Sequence, residues 1–396
     1  MNSTSPSTSH LNIEPALKAL AAALHGEGPA VDLSIGADGA LVVGHIETPG
    51  CDDAVAVVRT SGSTGAPKAT VLTVESLAAS SMATALALKG EGQWLLALPV
   101  QYVAGIQVLV RSLFAGTRPW VMDMSGGFTP EAFTAAALEL TDKIRYTSLV
   151  PTQLQRLLDD PSPDTLAVLR RFNAILLGGA PTPPALLDAA REAGVRVVTT
   201  YGSAESSGGC VYDGYPLEGV SVRVAPDGRI HLGGDTIAAG YIEAPDEETG
   251  TFFEEDGVRW YRTSDIGRID DDGRLTVLGR ADDMIITGGM KVSAADVQEK
   301  LEKSDGVAAA FVAGVPSGEW GQAVAAYVAL APEGATGDDN AGPAADVDGL
   351  RASWHRELGF AAPKTVLTAP ALKMLPNGKP DRLAMTAELS ALHQGK

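Results

Sequence analysis

The chain has 396 residues, too many for one ordinary hydrophobic core, so two or three folding units are expected. Hydrophobic residues make up 45% and charged residues 20%, as is typical of globular enzymes, and the formal net charge is -19. That charge argues against nucleic acid or an anionic membrane as a partner, because both bind basic surfaces.

The cysteine count and the start of the chain bear on its location. Only Cys51 and Cys210 are present, which excludes a disulfide framework and a cysteine-based zinc site. The first residues, Met1 to Ser9, are rich in Ser and Thr and lack the basic flank and apolar stretch of a secretory signal. No apolar run approaches the roughly 18 residues of a membrane helix. We therefore expect a soluble, cytoplasmic protein; a homodimer stays open.

The first predicted element is a short helix at residues 15–24. Beyond Ala54, short apolar runs alternate with helical stretches. The predicted strands are 54–59, 94–98, 147–150, 174–177 and 195–199. The predicted helices among them are 74–88, 105–114, 130–140 and 184–193. This βαβ rhythm predicts a mostly parallel sheet with helices on both faces.

The pattern changes near Gly219. Short strands with Gly and Asp turns between them are predicted at 220–224, 229–232, 260–263 and 275–278, as in a small antiparallel barrel or sheet. Beyond Arg280, helices at 294–303 and 350–358 and strands at 307–315 and 323–330 predict a compact α+β domain, and the Gly-, Ala- and Asp-rich stretch 332–349 predicts a mobile insertion. The expected fold is α/β: a large N-terminal domain, 1–280, with a β-rich subdomain at about 219–280, then a small mobile C-terminal domain, 281–396.

A hydroxyl- and glycine-rich loop follows the predicted strand 54–59. Its residues are Thr60, Ser61, Gly62, Ser63, Thr64, Gly65, Ala66, Pro67 and Lys68. Two glycines let successive N–H groups point inward as an anion cradle, while hydroxyls add donors and Lys68 adds a charge. It lacks the Gly-Lys-Ser/Thr ending of the Walker pattern. The alternative interpretation is a flexible Ser/Gly loop.

Two further motifs place carboxylates at strand ends. The first, Tyr201-Gly202-Ser203-Ala204-Glu205, follows the strand 195–199, where open α/β sheets bind ligands. Glu205 is a candidate oxygen ligand for Mg²⁺ on nucleotide phosphates, with a surface glutamate as the alternative. The second ends in Asp265, which has the chemistry to accept both hydroxyls of a ribose. A turn residue is the alternative for Asp265.

The last two motifs lie in the C-terminal part. The string from Gly279 to Val292 contains Arg280, Asp282 and the pair Gly288-Gly289, and it suggests a hinge with ligand contacts; a plain domain boundary is the alternative. The last motif is Pro376-Asn377-Gly378-Lys379-Pro380-Asp381-Arg382, which carries a strong Asn-Gly turn signal. In isolation it indicates a turn with a solvent-facing lysine.

In this order the five motifs resemble the adenylate-forming superfamily of acyl-CoA synthetases, luciferases and peptide-synthetase adenylation domains. The resemblance covers roughly Ala54 to the end of the chain. It implies an enzyme that activates a carboxylic acid with ATP and Mg²⁺ and passes the acyl group to a thiol, most often that of coenzyme A.

The resemblance also implies roles for individual residues. Residues 60–68 would cradle the ATP phosphates, and Glu205 would bind Mg²⁺. Gly179 and Ala180 would line the adenine and acyl pocket, and Tyr201, next to Gly202, would pack on adenine. Asp265 would hold the ribose, and Arg280 would lie close to ribose and phosphate. Lys379 would bridge the attacking carboxylate and the α-phosphate. Rotation about Asp282 would then remove Lys379 and open a thiol channel lined by Gly288 and Gly289.

Two positions depart from the family pattern. Many members carry Thr, whose hydroxyl contacts phosphate, where this chain has Ala204, and either Ser203 or Ser206 would have to substitute. Tyr102 stands where many relatives have His. The loss of the threonine also leaves open an adenylate-binding protein with little turnover.

The region before residue 60 is shorter than in most of the family. Together with residues 99–112 and 206–214, this looks most like the short o-succinylbenzoate–CoA ligases of menaquinone biosynthesis, especially actinobacterial ones. The benzoate carboxylate of that acid needs donors to offset its burial. The candidate pocket residues are Tyr102, Gly105, Arg111, Ser206, Ser207, Gly208 and Gly209. Alternatives are another aryl- or acyl-CoA ligase, an enzyme that loads a carrier protein, and, for Arg111, a helix residue paired with an acidic neighbour.

Overall fold

The computed structural model describes residues 11–61, 67–242, 250–330, 346–375 and 380–395. Its strands are β1 (Ala30–Ile35), β2 (Leu41–Ile46), β3 (Ala54–Ser61), β4 (Pro67–Thr73), β5 (Gln93–Leu96), β6 (Trp120–Val121), β7 (Arg145–Leu149), β8 (Ala174–Leu177), β9 (Val197–Ser203), β10 (Gly208–Tyr212), β11 (Tyr215–Pro216), β12 (Val220–Val224), β13 (Arg229–Gly234), β14 (Gly240–Ile242), β15 (Phe252–Glu255), β16 (Val258–Ile269), β17 (Leu275–Arg280), β18 (Met284–Thr287), β19 (Met290–Ser293), β20 (Val307–Ser317), β21 (Gly321–Leu330) and β22 (Thr365–Ala369). Its α-helices are α1 (Glu14–Leu24), α2 (Val74–Leu88), α3 (Val103–Phe114), α4 (Pro130–Leu138), α5 (Pro151–Leu158), α6 (Pro163–Arg170), α7 (Pro184–Glu192), α8 (Ala294–Glu302), α9 (Val347–Leu358) and α10 (Arg382–Gln394).

The chain divides into two compact units. The first comprises Met1–Arg223, His231–Thr263 and Asp271–Arg274. The second comprises Val224–Ile230, Ser264–Asp270 and Leu275–Lys396. The expected domain boundary at residue 280 and the hinge at Asp282 stay predictions. Of the described helices, none is both long enough and apolar enough to cross a bilayer.

A seven-stranded sheet forms the centre of the first unit, in the order β11-β10-β9-β8-β7-β5-β6. The strands from β6 to β9 pair in parallel, as the βαβ rhythm predicts. Alternate residues of β5 enter different cores: Trp94 and Leu96 pack in one cluster with α1, α2 and α3, and Leu95 packs in another with α4 to α7. Both faces of the sheet are therefore covered, and the α/β fold class is confirmed.

Strand β3, which precedes the predicted phosphate loop, lies outside that parallel sheet. It belongs to a five-stranded sheet, β14-β4-β3-β1-β2, in which it pairs antiparallel with β4 and parallel with β1. Strands β1, β2, β4 and β14 were not predicted from the sequence, and without them the apolar run of β3 looked like the first strand of the βαβ series. The loop therefore closes a hairpin.

The remaining strands form two more sheets. One has the order β12-β13-β16-β15 with β17 paired to β16, as expected for the β-rich region. In the second unit, β19-β18-β21-β20 with β22 beside β21 packs against α8, α9 and α10, which confirms the α+β prediction for this part. Most of the predicted insertion 332–349 lies outside the described residues, and α9 begins at Val347 rather than at residue 350.

Candidate active site

The predicted phosphate loop joins the two strands of a hairpin. Gly62, Ser63, Thr64 and Gly65 lie outside the described residues, as does Ala66 between them and β4. The strands on either side are described: Thr60 lies opposite Lys68 and Ser61 lies opposite Pro67 in an antiparallel ladder. The hairpin thus holds the Lys68 position beside the first hydroxyl residue of the loop.

Lys68, Tyr241 and Glu205 form a row in the first unit. The Lys68 ammonium lies 5.2 Å from the ring centroid of Tyr241. The hydroxyl of Tyr241 donates to Glu205 Oε1 at 2.7 Å. Glu205 is only 7% exposed, so this hydrogen bond is made away from bulk water. The row connects the cation after the loop to the carboxylate predicted to bind Mg²⁺.

A short 3₁₀ turn, Ala204–Ser206, carries Glu205 between β9 and β10. The Ser206 hydroxyl accepts from the Ser203 backbone N–H at 2.9 Å and lies 2.9 Å from the Gly208 carbonyl, to which it donates. Ser206 is therefore committed to the turn. Ser203 Oγ and Ser207 Oγ are buried and have no hydrogen-bond partner among the described residues.

Glycine is required where β9 and β10 approach each other. A Cβ atom on Gly202 would lie 2.1 Å from the Gly208 carbonyl oxygen. Gly208 has φ +97 and Ser207 has φ 53, so the chain turns through left-handed backbone directly after the 3₁₀ turn. Gly208 and Gly209 thus begin β10 directly after the turn that carries Glu205.

The carboxyl ends of β8 and β9 bring several predicted nucleotide residues to one sheet edge. Gly179 and Ala180 follow β8 and are exposed, and Tyr201 lies near the end of β9. Gly178 fits closely, since a Cβ there would lie 2.3 Å from Thr200 Oγ1. Such an edge is where open α/β sheets bind their ligands.

Helix α3 carries the predicted acid-pocket residues Tyr102, at its N-cap, and Gly105. A Cβ on Gly105 would lie 2.3 Å from the Pro99 carbonyl oxygen, so this glycine is needed for packing. The same helix supplies Gln107, whose side-chain amide donates to the Ser207 carbonyl. Gln107 was not predicted as a site residue, although a lone amide in the apolar run VAGIQVLV is a signal. Tyr241 was not predicted either, and the sequence offers no comparable signal for it.

The structure places Arg111 against Trp94. Arg111 is 7% exposed, and its guanidinium lies 5.2 Å from the Trp94 ring centroid. Both residues line a cavity of about 20 Å³ together with Tyr146, which is room for about one water molecule. The contact of Arg111 with the carboxylic acid substrate stays a prediction.

The second unit holds the remaining predicted residues. Asp265 on β16 lies directly opposite Arg280 on β17, so the two proposed ribose contacts are cross-strand neighbours. Asp282 lies in the 3₁₀ turn Ala281–Asp283 that follows. Gly288 and Gly289 form the β18–β19 turn, both with positive φ. Lys379 lies outside the described residues.

Comparisons with known proteins cover most of the chain. The model of the AMP-binding enzyme family matches residues 8–242, and that of the AMP-binding enzyme C-terminal domain matches residues 296–379. A Mycobacterium tuberculosis (strain H37Rv) protein named probable 2-succinylbenzoate–CoA ligase is 42% identical over 339 residues, which is 84% of each chain. The 2-succinylbenzoate–CoA ligase of Geobacillus sp. (strain WCH70) is 31% identical and aligns with 70% of this chain and 59% of its own.

Among solved structures, o-succinylbenzoate CoA synthetase from Bacillus subtilis with its acyl-adenylate intermediate superposes with a TM-score of 0.71. It is 25% identical, and the match covers 87% of this chain and 72% of the other. The same Bacillus enzyme has been solved with ATP and a magnesium ion, and that structure matches with a TM-score of 0.68 at 25% identity, over 86% of this chain and 72% of the other. This chain belongs to the AMP-binding enzyme family.

Proposed function

We propose that this chain is an AMP-forming acid–thiol ligase that activates o-succinylbenzoate with ATP and transfers the acyl group to coenzyme A, a step of menaquinone biosynthesis. The observation that carries the proposal is the 42% identity, over 84% of both chains, to the mycobacterial protein named for that reaction. The site supports it, because the hairpin, the row of Lys68, Tyr241 and Glu205, and the β8–β9 edge provide the groups a nucleotide needs.

The proposed reaction has two steps, adenylation and thioester formation. In the first, a carboxylate oxygen of the acid bonds to the α-phosphorus of ATP, the α–β phosphoanhydride bond breaks, and pyrophosphate leaves. In the second, the thiolate of coenzyme A attacks the acyl carbon, and AMP leaves. The first step brings two anions together, so donors and cations fixed in place around the phosphates lower its barrier. We assign this task to residues 60–68, in which Lys68 supplies the positive charge.

Magnesium is the metal that the described residues fit. Glu205 offers a buried hard oxygen ligand, and in the described part of the chain no three His, Cys, Asp or Glu side chains cluster as a metal cage. Mg²⁺ is commonly held by one or two carboxylates together with substrate phosphates, which suits this single carboxylate. When bound, the ion neutralises phosphate charge. Glu205 would supply its protein ligand.

The nucleotide roles of the other predicted residues are part of the proposal. Gly179, Ala180, Tyr201 and Gly202 would contact the adenine side of the nucleotide at the β8–β9 edge. Asp265 would hold the ribose with Arg280 beside it, Lys379 would assist adenylation, Asp282 would be the hinge, and Gly288 and Gly289 would line the thiol channel. The register of Asp265 opposite Arg280 supports the joint role of that pair.

Recognition of the acid is assigned to the turn after Glu205 and to the start of α3. Ser207 is the stronger hydroxyl candidate for the second carboxylate, because its Oγ is buried without a partner among the described residues whereas Ser206 is used by the turn. The backbone of Gly208 and Gly209 would add donors. Tyr102, Gly105 and Arg111 complete the proposed pocket.

ATP–pyrophosphate exchange with a panel of carboxylic acids, followed by a coenzyme A thioester assay, tests the proposal. We expect exchange with o-succinylbenzoate above all other acids and thioester formation with the same acid. Strong exchange with fatty or plain benzoic acids and none with o-succinylbenzoate would replace our substrate by that of another acyl-CoA ligase. A cytoplasmic location is part of the proposal, in keeping with the free thiols of Cys51 and Cys210.

A further inference from the structure

Tyr241 contacts the two charged groups of the proposed phosphate site at once. Its hydroxyl donates to Glu205 Oε1 at 2.7 Å, and the Lys68 ammonium lies over its ring at 5.2 Å from the centroid. A hydroxyl that donates to a carboxylate restrains that side chain without adding a formal charge to the site. The Tyr241 contact therefore fixes the direction of the Glu205 side chain.

The position of Tyr241 is fixed from several sides. Strand β14 pairs antiparallel with β4, with Tyr241 opposite Thr70, so the ring is set in register with the strand that begins just before Lys68. Phe252 packs edge-on against the ring at 5.1 Å between centroids. These contacts define where the hydroxyl points.

Backbone hydrogen bonds tie the same segment to the turn of Glu205. The Ala238 N–H donates to the Glu205 carbonyl at 2.9 Å, and the Ala239 N–H donates to the Val71 carbonyl at 3.0 Å. The Arg259 guanidinium donates to the carbonyls of Ala238 and Ala239. The segment that ends in β14 is thus hydrogen-bonded both to the turn that carries Glu205 and to the β3–β4 hairpin.

We propose that Tyr241 is a positioning residue of the metal–nucleotide site, which orients the Glu205 carboxylate toward the Mg²⁺ of bound ATP and holds Lys68 beside it through its ring. This inference rests on the proposed ATP-dependent function, but not on the identity of the acid. Removal of a group that hydrogen-bonds to a metal ligand typically weakens metal affinity by about 10- to 100-fold. The hydroxyl and the ring of Tyr241 have separable tasks, and two substitutions distinguish them.

Calorimetry on the full chain measures both tasks without acid or turnover. The probes are α,β-methylene-ATP alone and the same analogue saturated with Mn²⁺, and the ratio of the two Kd values gives the contribution of the metal. Tyr241→Phe should reduce this contribution about tenfold and leave the metal-free Kd unchanged, because the ring remains for Lys68. Tyr241→Leu should weaken metal-free binding as well, because the cation–π contact is lost.

The matched control is Tyr146→Phe, which removes another buried hydroxyl of the first unit, one that donates to the Gly90 carbonyl at 3.0 Å. It should leave both Kd values unchanged. In a Glu205→Gln background, Tyr241→Phe should cause no further loss of the metal contribution, since the residue acts through Glu205. A wild-type metal contribution in Tyr241→Phe, or an undiminished loss in the Glu205→Gln background, would overturn the proposal. Failure of the acid assignment alone would leave these measurements intact.

Discussion

The side-chain amide of Gln107 donates a hydrogen bond to the backbone carbonyl of Ser207 at 2.5 Å. Gln107 is 1% exposed on α3, and the same carbonyl lies 3.2 Å from Ser80 Oγ, which also donates to it. Ser207 has left-handed backbone, which a non-glycine residue keeps only where its surroundings hold it. Gln107 and Ser80 therefore stabilise the turn that presents Gly208 and Gly209 to the proposed acid pocket.

Replacement of Gln107 should affect the acid more than the nucleotide. Gln107→Leu keeps most of the side-chain volume but removes the donor to Ser207. We expect the KM for o-succinylbenzoate to rise about tenfold, equivalent to about 1.4 kcal/mol, with a smaller change in the KM for ATP. Exchange of pyrophosphate at varied acid and varied ATP gives both constants.

The matched control for this prediction is Gln153→Leu. Gln153 is also a buried glutamine whose amide donates to a backbone carbonyl, that of Ala97, at 3.1 Å. The Gln153→Leu variant should have a lower thermal stability than wild type and an unchanged KM for the acid. An equal rise of both KM values in Gln107→Leu would show that the turn serves the nucleotide as much as the acid, which contradicts the prediction.

The serines beside Ala204 should behave differently from each other. Ser203 Oγ is buried without a partner among the described residues, whereas Ser206 Oγ closes the 3₁₀ turn. Ser203→Ala should weaken ATP binding about three- to tenfold with unchanged Tm, because only a ligand contact is lost. Ser206→Ala should lower the Tm, because the turn loses its internal hydrogen bonds. Nucleotide titration and thermal unfolding separate the two, and the opposite assignment would mean that Ser206 replaces the missing threonine.

Lys379 should matter for one half-reaction only. Lys379→Ala should abolish adenylation, because the carboxylate then approaches the α-phosphate without a neutralising cation. It should largely spare thioester formation from supplied acyl-adenylate, in which that charge repulsion plays no part. Single-turnover assays of each step measure this, with Lys373→Ala as a control on the described side of the same segment. Equal loss of both steps in Lys379→Ala would refute the division of labour.

Periodicity predicted the longer parallel strands of the first unit, because each buried strand reads as a continuous apolar run. It did not predict the two-residue strand β6 or the short helices α5 and α6. Helix α2, β8 and β12 have the predicted bounds. Strands β2 and β4 of the five-stranded sheet were missed for a physical reason. In β4 a proline and a lysine precede the apolar residues, and β2 is only half-buried, so neither shows a continuous apolar signal.

The site was predicted where chemistry and sequence coincide, as in the Glu205 turn at the end of β9. It was missed where the chemistry arises from contacts between distant positions. Tyr241 reaches Glu205 across 36 residues and Gln107 reaches Ser207 across 100 residues. No local pattern encodes such pairs, because only the tertiary fold brings them together.

Glu302 gives the second unit a pH-dependent stability. Burial raises the pKa of the Glu302 carboxyl, and the N–H groups of Ala310 and Gln298, at 3.0 and 3.1 Å, partly offset this. The folded state thus binds the proton more tightly than the unfolded chain, whose value is 4.5. The stability contributed by the neutral form is complete below that pH and is lost as pH rises through the higher folded pKa.

Glu302→Gln keeps an oxygen acceptor for the Ala310 N–H and stays neutral at every pH. Its Tm relative to wild type should therefore increase as the pH is raised from about 4 to about 7, in the direction that linkage requires. Glu357→Gln is the control, since that glutamate of α9 is exposed and accepts a hydrogen bond from Ser353 Oγ at 3.2 Å. Calorimetric scans across this range give the differences. A Glu302→Gln difference that stays flat or declines over the same range would mean that burial does not disfavour the charged carboxylate.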